Sequence, residues 1–166
     1  MRASAALFVA AAFLAGGCSR HATVPTTHHV TIFYGRAGTE KLVPMQFNVD
    51  EKVAANPSAL ETYAVNQLLA GPVVGSDTFV QFPAGTHATI SQRGKMVTVD
   101  LHGPIARSIQ TGGTDEAALF KSLTYTLTGL PGVSSVQVLV EGKKLAALPG
   151  GQFELDEPLT RDTFSQ

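Results

Sequence analysis

The sequence predicts a single α+β domain in which a mixed or antiparallel sheet carries two main helices. Two segments have apolar residues at helical spacing, and extended runs rich in β-branched residues surround them. The chain has 166 residues, about the length of one domain and enough to bury a hydrophobic core. The predicted order is β-β-α-β-β-α-β-β, with both helices on one face of the sheet.

The predicted strands are extended runs bounded by glycine or proline turns. Pro44 lies early in the second run, which suits an edge strand. Residues 133–140 are apolar on both faces, which predicts a central strand. The runs cover residues 30–34, 42–49, 87–91, 97–102, 133–140 and 144–148.

The first predicted helix has two candidate starts. Ser58 and Glu61 fit a capping box, and Asn56 followed by Pro57 fits nearly as well. Gly71-Pro72 ends the helix, because proline cannot continue it. Its predicted apolar face consists of Leu60, Ala64, Val65, Leu68 and Leu69.

The second predicted helix begins with Thr114 as its cap. Asp115 and Glu116 place negative charge at its positive end, and Pro131-Gly132 stops it. Its predicted apolar stripe consists of Ala118, Leu119, Phe120, Ser122, Leu123, Thr126, Leu127 and Leu130. The tail from residue 150 onward is predicted to pack back over the domain.

The composition excludes several classes of function. Lys and Arg total 12 and Asp and Glu total 13, so the chain lacks the positive charge of a nucleic-acid-binding protein. The single cysteine excludes a disulfide framework and a thiolate metal site within one chain. We expect no nucleic-acid partner.

Residues 1–17 predict an export signal. A basic start precedes about a dozen apolar residues, too few to cross a hydrocarbon core that needs about 20. Cys18 follows small residues, and this junction resembles the bacterial lipoprotein signal, although Ala15 stands where leucine is most common. The resemblance implies cleavage before Cys18, a diacylglyceryl group with chains such as palmitate, and membrane attachment through Cys18. The alternative is an ordinary signal cut near Gly16, which leaves a free thiol.

Residues 18–29 then form the lipidated cysteine and a polar tether. Ser19 after the cysteine resembles outer-membrane sorting, which places the protein on the periplasmic face if the organism has two membranes. The localisation expected otherwise is the extracytoplasmic side of the cell envelope. We take residues 30–162 as the folded domain and 163–166 as the C-terminal tail.

Asp100 and His102 form the main candidate for chemistry. They are two apart on one predicted strand and therefore point to the same face. Thr89 or Ser91 across the hairpin would complete a hydroxyl, histidine and carboxylate trio. The alternative is the solvated outer face of a strand, which we favour because nothing resembles a nucleophile elbow.

The remaining polar groups are weaker candidates. The tether histidines His21, His28 and His29 lack fixed metal geometry, and Gly112-Gly113 precede a helix whose acidic residues would repel phosphate. The acidic groups Glu154, Asp156 and Glu157 lie in the tail. We predict no catalytic, metal-binding or cofactor-binding residue, and therefore no enzyme.

Five strings, in this order and spacing, resemble the GerMN domain family of sporulation and spore germination lipoproteins. The likeness covers roughly Val30 to Asp162. The strings are LLAGP at 68–72, FPAGT at 82–86, VTVDL at 97–101, LTYTLTGLPGV at 123–133 and VQVLVEG at 136–142.

The resemblance implies an extracytoplasmic, commonly lipid-anchored module without known catalytic residues. Its fold is similar to the ring-building motifs of secretion and sporulation channels. We therefore expect a non-enzymatic envelope protein that associates with an envelope protein or with itself, in an envelope or sporulation and germination complex. The alternative is a module that binds a small ligand or a peptidoglycan fragment. The polar side of the second helix (Lys121, Tyr125, Thr128) is a candidate contact surface.

Overall fold

The computed structural model describes residues 27–72, 78–107, 109 and 112–165. It confirms the α+β class predicted from the sequence. The strands are β1 His28–Gly35, β2 Leu42–Val49, β3 His87–Arg93, β4 Met96–His102 and β5 Ser135–Val140. The helices are α1 Glu51–Ala54, α2 Pro57–Ala70 and α3 Gly113–Leu127. Short 3-10 turns cover Pro104–Ala106 and Asp162–Phe164.

The strands form two sheets where one was expected. β1 and β2 make an antiparallel pair, and β3, β4 and β5 make a second sheet with β4 in the centre. β3 and β4 form an antiparallel hairpin, whereas β4 and β5 run parallel, with Val99 opposite Val138. A parallel pair needs a long crossover connection, and the segment that contains α3 provides it.

The start of α2 decides between the two candidate caps. The side chain of Asn56 accepts a hydrogen bond from the amide of Ala59 at 3.2 Å, and Pro57 is the first helical residue. The capping box of Ser58 and Glu61 is wrong, because Glu61 is 2% exposed and points into the protein. The predicted apolar residues are buried or pack against the core.

The cap of α3 differs from the predicted one. Gly112 occupies the cap position, so the assignment to Thr114 is wrong. The apolar stripe is confirmed, since all eight of its predicted residues are buried. Shortening one of the large ones, such as Leu123, would cost about 2–5 kcal/mol.

Helix α3 packs directly against β1. Gly35 allows the close approach, because a Cβ there would lie 2.9 Å from the carbonyl oxygen of Ala118. Further along, the amide of Phe33 donates a hydrogen bond to Oγ1 of Thr126 at 3.0 Å. This bond satisfies an amide of β1 that does not pair with β2. The small and polar residues of the stripe therefore set the contact between α3 and the sheet.

Three local predictions need correction. β5 lies at the end of its sheet, so the predicted central position is wrong, although one antiparallel bridge joins Val136 to Leu159. Among the described residues no strand follows β5, because Lys143 makes only a single bridge to Val140. The third correction is the single turn α1, which is absent from the predicted elements.

The segment from residue 150 onward packs on α3, as expected. Leu155 and Leu159 are 1% and 2% exposed and belong to the core. The ring of Phe153 stacks between Phe120 and Phe164, with centroid distances of 5.4 and 5.5 Å. These contacts attach the tail to the helix.

Cys18, the signal segment and the first part of the tether lie outside the described residues. His28 and His29, predicted as the end of the tether, belong to β1. None of the helices in the described ranges is long and apolar enough to cross a membrane.

The bond between Thr126 and β1 gives a stability prediction. Thr126→Val keeps the shape of the side chain but leaves the partly buried amide of Phe33 without its acceptor, so we expect a loss of about 1–3 kcal/mol in urea unfolding. Thr62→Val, at an exposed site of α2, is the matched control and should change stability by about 0.5 kcal/mol or less. Equal effects of the two substitutions would contradict the assigned role.

Candidate functional site

A polar cluster lies where β4 and β5 end, and it contains the pair singled out in the sequence. Asp100 and His102 occupy the same half-buried face of β4. Nε2 of His102 lies 3.5 Å from Oδ2 of Asp100, and its Nδ1 lies 3.1 Å from Oε2 of Glu141. The imidazole thus has a carboxylate on each side, an arrangement that stabilises its protonated form.

Glu141 is held in this cluster by reciprocal backbone bonds. Its Oε1 accepts a hydrogen bond from the amide of Gly103 at 2.9 Å, and the amide of Gly142 donates to Oδ1 of Asp100 at 2.8 Å. The φ angle of Glu141 is +49°, a left-handed conformation that costs a non-glycine residue about 1–2 kcal/mol. The hydrogen bonds offset this cost and tie the turn after β5 to the end of β4.

The cluster shifts the pKa values of His102 and Glu141. The hydrogen bond to Glu141, followed by the charge of Asp100, raises the pKa of His102 above 6.5, although desolvation opposes this. The amide of Gly103, followed by His102, lowers the pKa of Glu141 below 4.5. The ion pair therefore stabilises the fold between these two pKa values. Its contribution is lost as pH falls through the pKa of Glu141 or rises through that of His102.

The candidate catalytic trio, which the sequence analysis did not favour, is only loosely assembled. Thr89 lies nearer to His102 than Ser91 does along the strand pairing, but its Oγ1 is 3.5 Å from Nε2. A nucleophile and its base are usually about 2.6–3.2 Å apart. Asp100 also competes for the same ring nitrogen. The geometry ties the ends of β4 and β5 together, and Oγ1 of Thr89 lies farther from His102 than a nucleophile usually lies from its base.

The acidic residues at the start of α3 bind backbone amides of the protein itself. Oδ1 of Asp115 accepts a hydrogen bond from Gly38 at 2.7 Å. Glu116 is 1% exposed, and its Oε2 accepts from the amides of Gln152 and Phe153 at 2.6 and 3.2 Å. Negative charge is favoured at this end of a helix. The candidate anion site at this end is therefore already occupied by carboxylates.

The other predicted polar groups do not converge. The tail residues Glu154, Asp156 and Glu157 are exposed. His87 stacks on His102, with ring centroids 5.4 Å apart. Within the described ranges, no group of three or more His, Cys, Asp or Glu side chains is arranged to hold a metal ion.

The polar side of α3 is already in contact with the tail. The guanidinium of Arg161 lies 4.8 Å from the ring centroid of Tyr125 and donates a hydrogen bond to Thr128 at 2.9 Å. Lys121 lies 3.9 Å from a carboxylate oxygen of Glu40. The candidate contact surface on this helix therefore serves intramolecular packing.

An open surface lies instead on the outward side of the three-stranded sheet. Its central side chains are uncharged and half-buried or exposed, and the cluster of Asp100, His102 and Glu141 borders one end. The strand register places these side chains in adjacent rows. We call this surface the outer sheet face; its residues are Thr89, Ser91, Thr98, Gln137 and Leu139.

Two site residues were missed in the sequence. Glu141 is not among the predicted site residues, because its long-range contact with β4 leaves no local signal. Glu61 was assigned to a helix cap, although the spacing of Ala64, Val65 and Leu68 already places it on the apolar face of α2. Burial raises the pKa of Glu61 above its usual value.

Comparison with known proteins identifies the domain. The family model Germane, described as sporulation and spore germination, matches residues 31–146. No curated protein sequence matches the chain.

Three solved structures share the fold. The chain covers 46% of the tandem GerMN domains of the sporulation protein GerM from Bacillus subtilis, at 22% identity and a TM-score of 0.59. It covers 99% of the first GerMN domain of that protein, at 19% identity and a TM-score of 0.59. It covers 89% of a candidate lipoprotein from Clostridium perfringens, at 20% identity and a TM-score of 0.56. Each alignment includes 82% of the present chain. The chain thus spans about half of the tandem structure.

The polar cluster predicts a shifted histidine titration. Followed by NMR, the ring protons of His102 should titrate with a midpoint above 6.5. Glu141→Gln removes the largest contribution to the raised pKa, so the midpoint should fall towards 6.5. Asp100→Asn should lower it less, and Glu154→Gln in the exposed tail should leave it unchanged. A titration midpoint of His102 that stays unchanged in Glu141→Gln would contradict the assigned hydrogen bond.

Proposed function

Because the chain belongs to the Germane family of sporulation and spore germination, we propose that it is a lipid-anchored envelope protein that mediates protein association. It acts without catalysing a reaction, in an envelope or a sporulation and germination complex. The lipidated Cys18 attaches the protein to the membrane, and the GerMN domain contacts the partner. The partner is an envelope protein or a second copy of the chain.

The observation that carries this proposal is the outer sheet face. Its centre is uncharged, as in the cores of protein interfaces, and charged groups lie at its ends. The inward sides of β4 and β5 are fully committed to the core, so only the outward side chains are free to contact a partner. The surface is also rigid, because both neighbours of β4 are paired with it along their length.

The absence of an activated hydroxyl at His102 supports a non-enzymatic role. Asp100, His102 and Glu141 bind one another and the backbone, and this use of their polar atoms explains the cluster without a substrate. The cluster then keeps one border of the outer sheet face in a fixed conformation.

Membrane attachment rests on the junction before Cys18 and on the likeness to a candidate lipoprotein. Two or more acyl chains anchor a protein stably, since each buried methylene contributes about 0.8 kcal/mol. The tether of about ten residues then keeps the domain within roughly 30 Å of the bilayer.

A second candidate function is binding of a small ligand or a peptidoglycan fragment. The observation that favours it is a cleft beside Glu61, which is lined by apolar residues around a buried carboxyl group.

The anchor predicts a specific mature N-terminus. Mass spectrometry of the protein purified from envelopes should find Cys18 as the first residue with a diacylglyceryl group on sulfur. Cys18→Ser should move the protein from the detergent phase to the aqueous phase in a partition assay. Because the chain has one cysteine, a titratable free thiol in the mature wild-type protein would instead support an ordinary signal cut near Gly16.

The outer sheet face predicts where a partner contacts the domain. A photocrosslinking residue at Thr98 should give a discrete envelope adduct or a dimer, whereas one at the exposed Thr62 on α2 should give none. Thr98→Glu buries a charge in the interface and should weaken association about tenfold or more. Thr62→Glu is the matched control. A strictly monomeric wild-type protein without an adduct at residue 98 would overturn the proposal.

A further inference from the structure

A buried carboxyl group without a counter-charge lies on α2. Glu61 is 2% exposed, and its Oε1 has no hydrogen-bond partner among the described residues. The ion pairs found in the same ranges involve His102 and Lys121 and do not include Glu61. Burying an unpaired carboxyl group is costly, and native proteins usually satisfy such groups. Oε1 of Glu116 and Oγ1 of Thr86 and Thr124 also lack a partner among the described residues. Two amides bind the other oxygen of Glu116, whereas Glu61 lines an apolar cleft that a ligand can enter.

The carboxyl group lines a small apolar cleft. The cleft has a volume of about 80 Å³ and is formed where α1 and the start of α2 meet the chain after α3. Its walls are Ala54, Ala55, Pro57, Leu60, Leu130 and Pro131. Among the described residues that line the cleft, Glu61 is the only ionisable one, so the cleft combines apolar walls with one acidic group.

A wider groove adjoins the cleft. It has a volume of about 350 Å³ and shares Ala54, Leu60, Leu130 and Pro131 with the cleft. Its far end reaches the start of β1, where His28 and His29 lie. A ligand with its end in the cleft would thus have room to continue along the groove.

We propose that this cleft binds a lysyl-type side chain, that is, a primary ammonium group on an unbranched alkyl stem, from a partner polypeptide. The ammonium group pairs with Glu61, and the methylenes contact Pro57, Leu60 and Leu130. The inference rests on the cleft alone and holds whether or not the chain associates through the outer sheet face.

The size of the cleft selects the cation. At about 80 Å³ the cleft admits the ammonium end of the side chain, and the rest of the stem lies in the groove. A guanidinium group is planar and broader, with five donors that a single carboxylate cannot satisfy. Lysine also suits a cleft with apolar walls, because its stem packs on apolar surface while its charged end finds a polar partner.

Charge sets the pH range of binding. Glu61 pairs with a cation only when ionised, and burial makes ionisation harder in the free protein, so the bound cation draws a proton off the carboxyl group. His28 and His29 lie in the adjoining groove. Binding should therefore strengthen as pH rises through the raised pKa of Glu61.

The test uses the full chain in a non-ionic detergent with n-butylammonium as the probe. Amide NMR at pH 7.5 should show saturable shifts at Ala55, Leu60 and Leu130. Ethanolamine, whose stem is two carbons shorter and ends in a hydroxyl, should bind at least tenfold more weakly, because each buried carbon of the stem contributes about fourfold. Uncharged n-butanol should also bind at least tenfold more weakly.

Two variants locate the site. Glu61→Gln keeps the shape and removes the charge, and it should weaken butylammonium binding at least tenfold. Ala55→Leu fills the mouth of the cleft from an exposed position and should do the same, so the test does not depend on one variant folding. Glu157→Gln in the exposed tail is the matched control and should bind as the wild type does.

Several results would overturn the proposal. They are the absence of saturable shifts with butylammonium, equal binding of butanol, unchanged binding by Glu61→Gln, or ethanolamine binding as tightly as butylammonium. The last result would indicate an aminated lipid headgroup in place of a lysyl side chain. Loss of the crosslink at Thr98 with intact amine binding would refute only the association through the outer sheet face.

Discussion

The parallel pairing of β4 with β5 is the constraint on which the rest of the structure depends. Parallel neighbours cannot be joined by a hairpin, so the chain must leave the end of β4, cross the sheet and return in the same direction. Helix α3 makes that crossing. Because it contacts β1 as well as β5, the crossover also joins the two sheets. Gly35 and Thr126 then fix how closely the helix approaches β1.

The same constraint builds the polar cluster. The ends of β4 and β5 lie side by side only because the strands are parallel, and this brings Glu141 to Asp100 and His102 across about 40 positions of sequence. The hydrogen bonds of Glu141 stabilise its own left-handed backbone and hold the turn. The cluster is thus a consequence of the topology, which explains why its polar groups are already satisfied without a ligand.

Local sequence patterns predicted most of the elements but not their pairing. The α3 stripe, the hairpin of β3 and β4 and the α+β class follow from periodicity and turn residues within a few positions, whereas the start of α2 stayed open between two caps. The division into two sheets and the edge position of β5 depend on contacts between distant segments. The same limit applies to the site. The shared face of Asp100 and His102 follows from strand alternation, whereas Glu141 enters the cluster only through the fold.

Glu61 and Glu116 are buried to the same extent but differ in what surrounds their carboxyl groups. Both are almost completely buried on helices. Glu116 lies in the first turn of α3, where the helix dipole favours its charge, and two amides of the tail bind one of its oxygens. Glu61 lies beyond the first turn of α2, in a cleft with apolar walls. A leucine at that position would gain about 1.5–3 kcal/mol by burial. A carboxyl group at this position therefore fits the proposed site, in which a cation from a partner completes it.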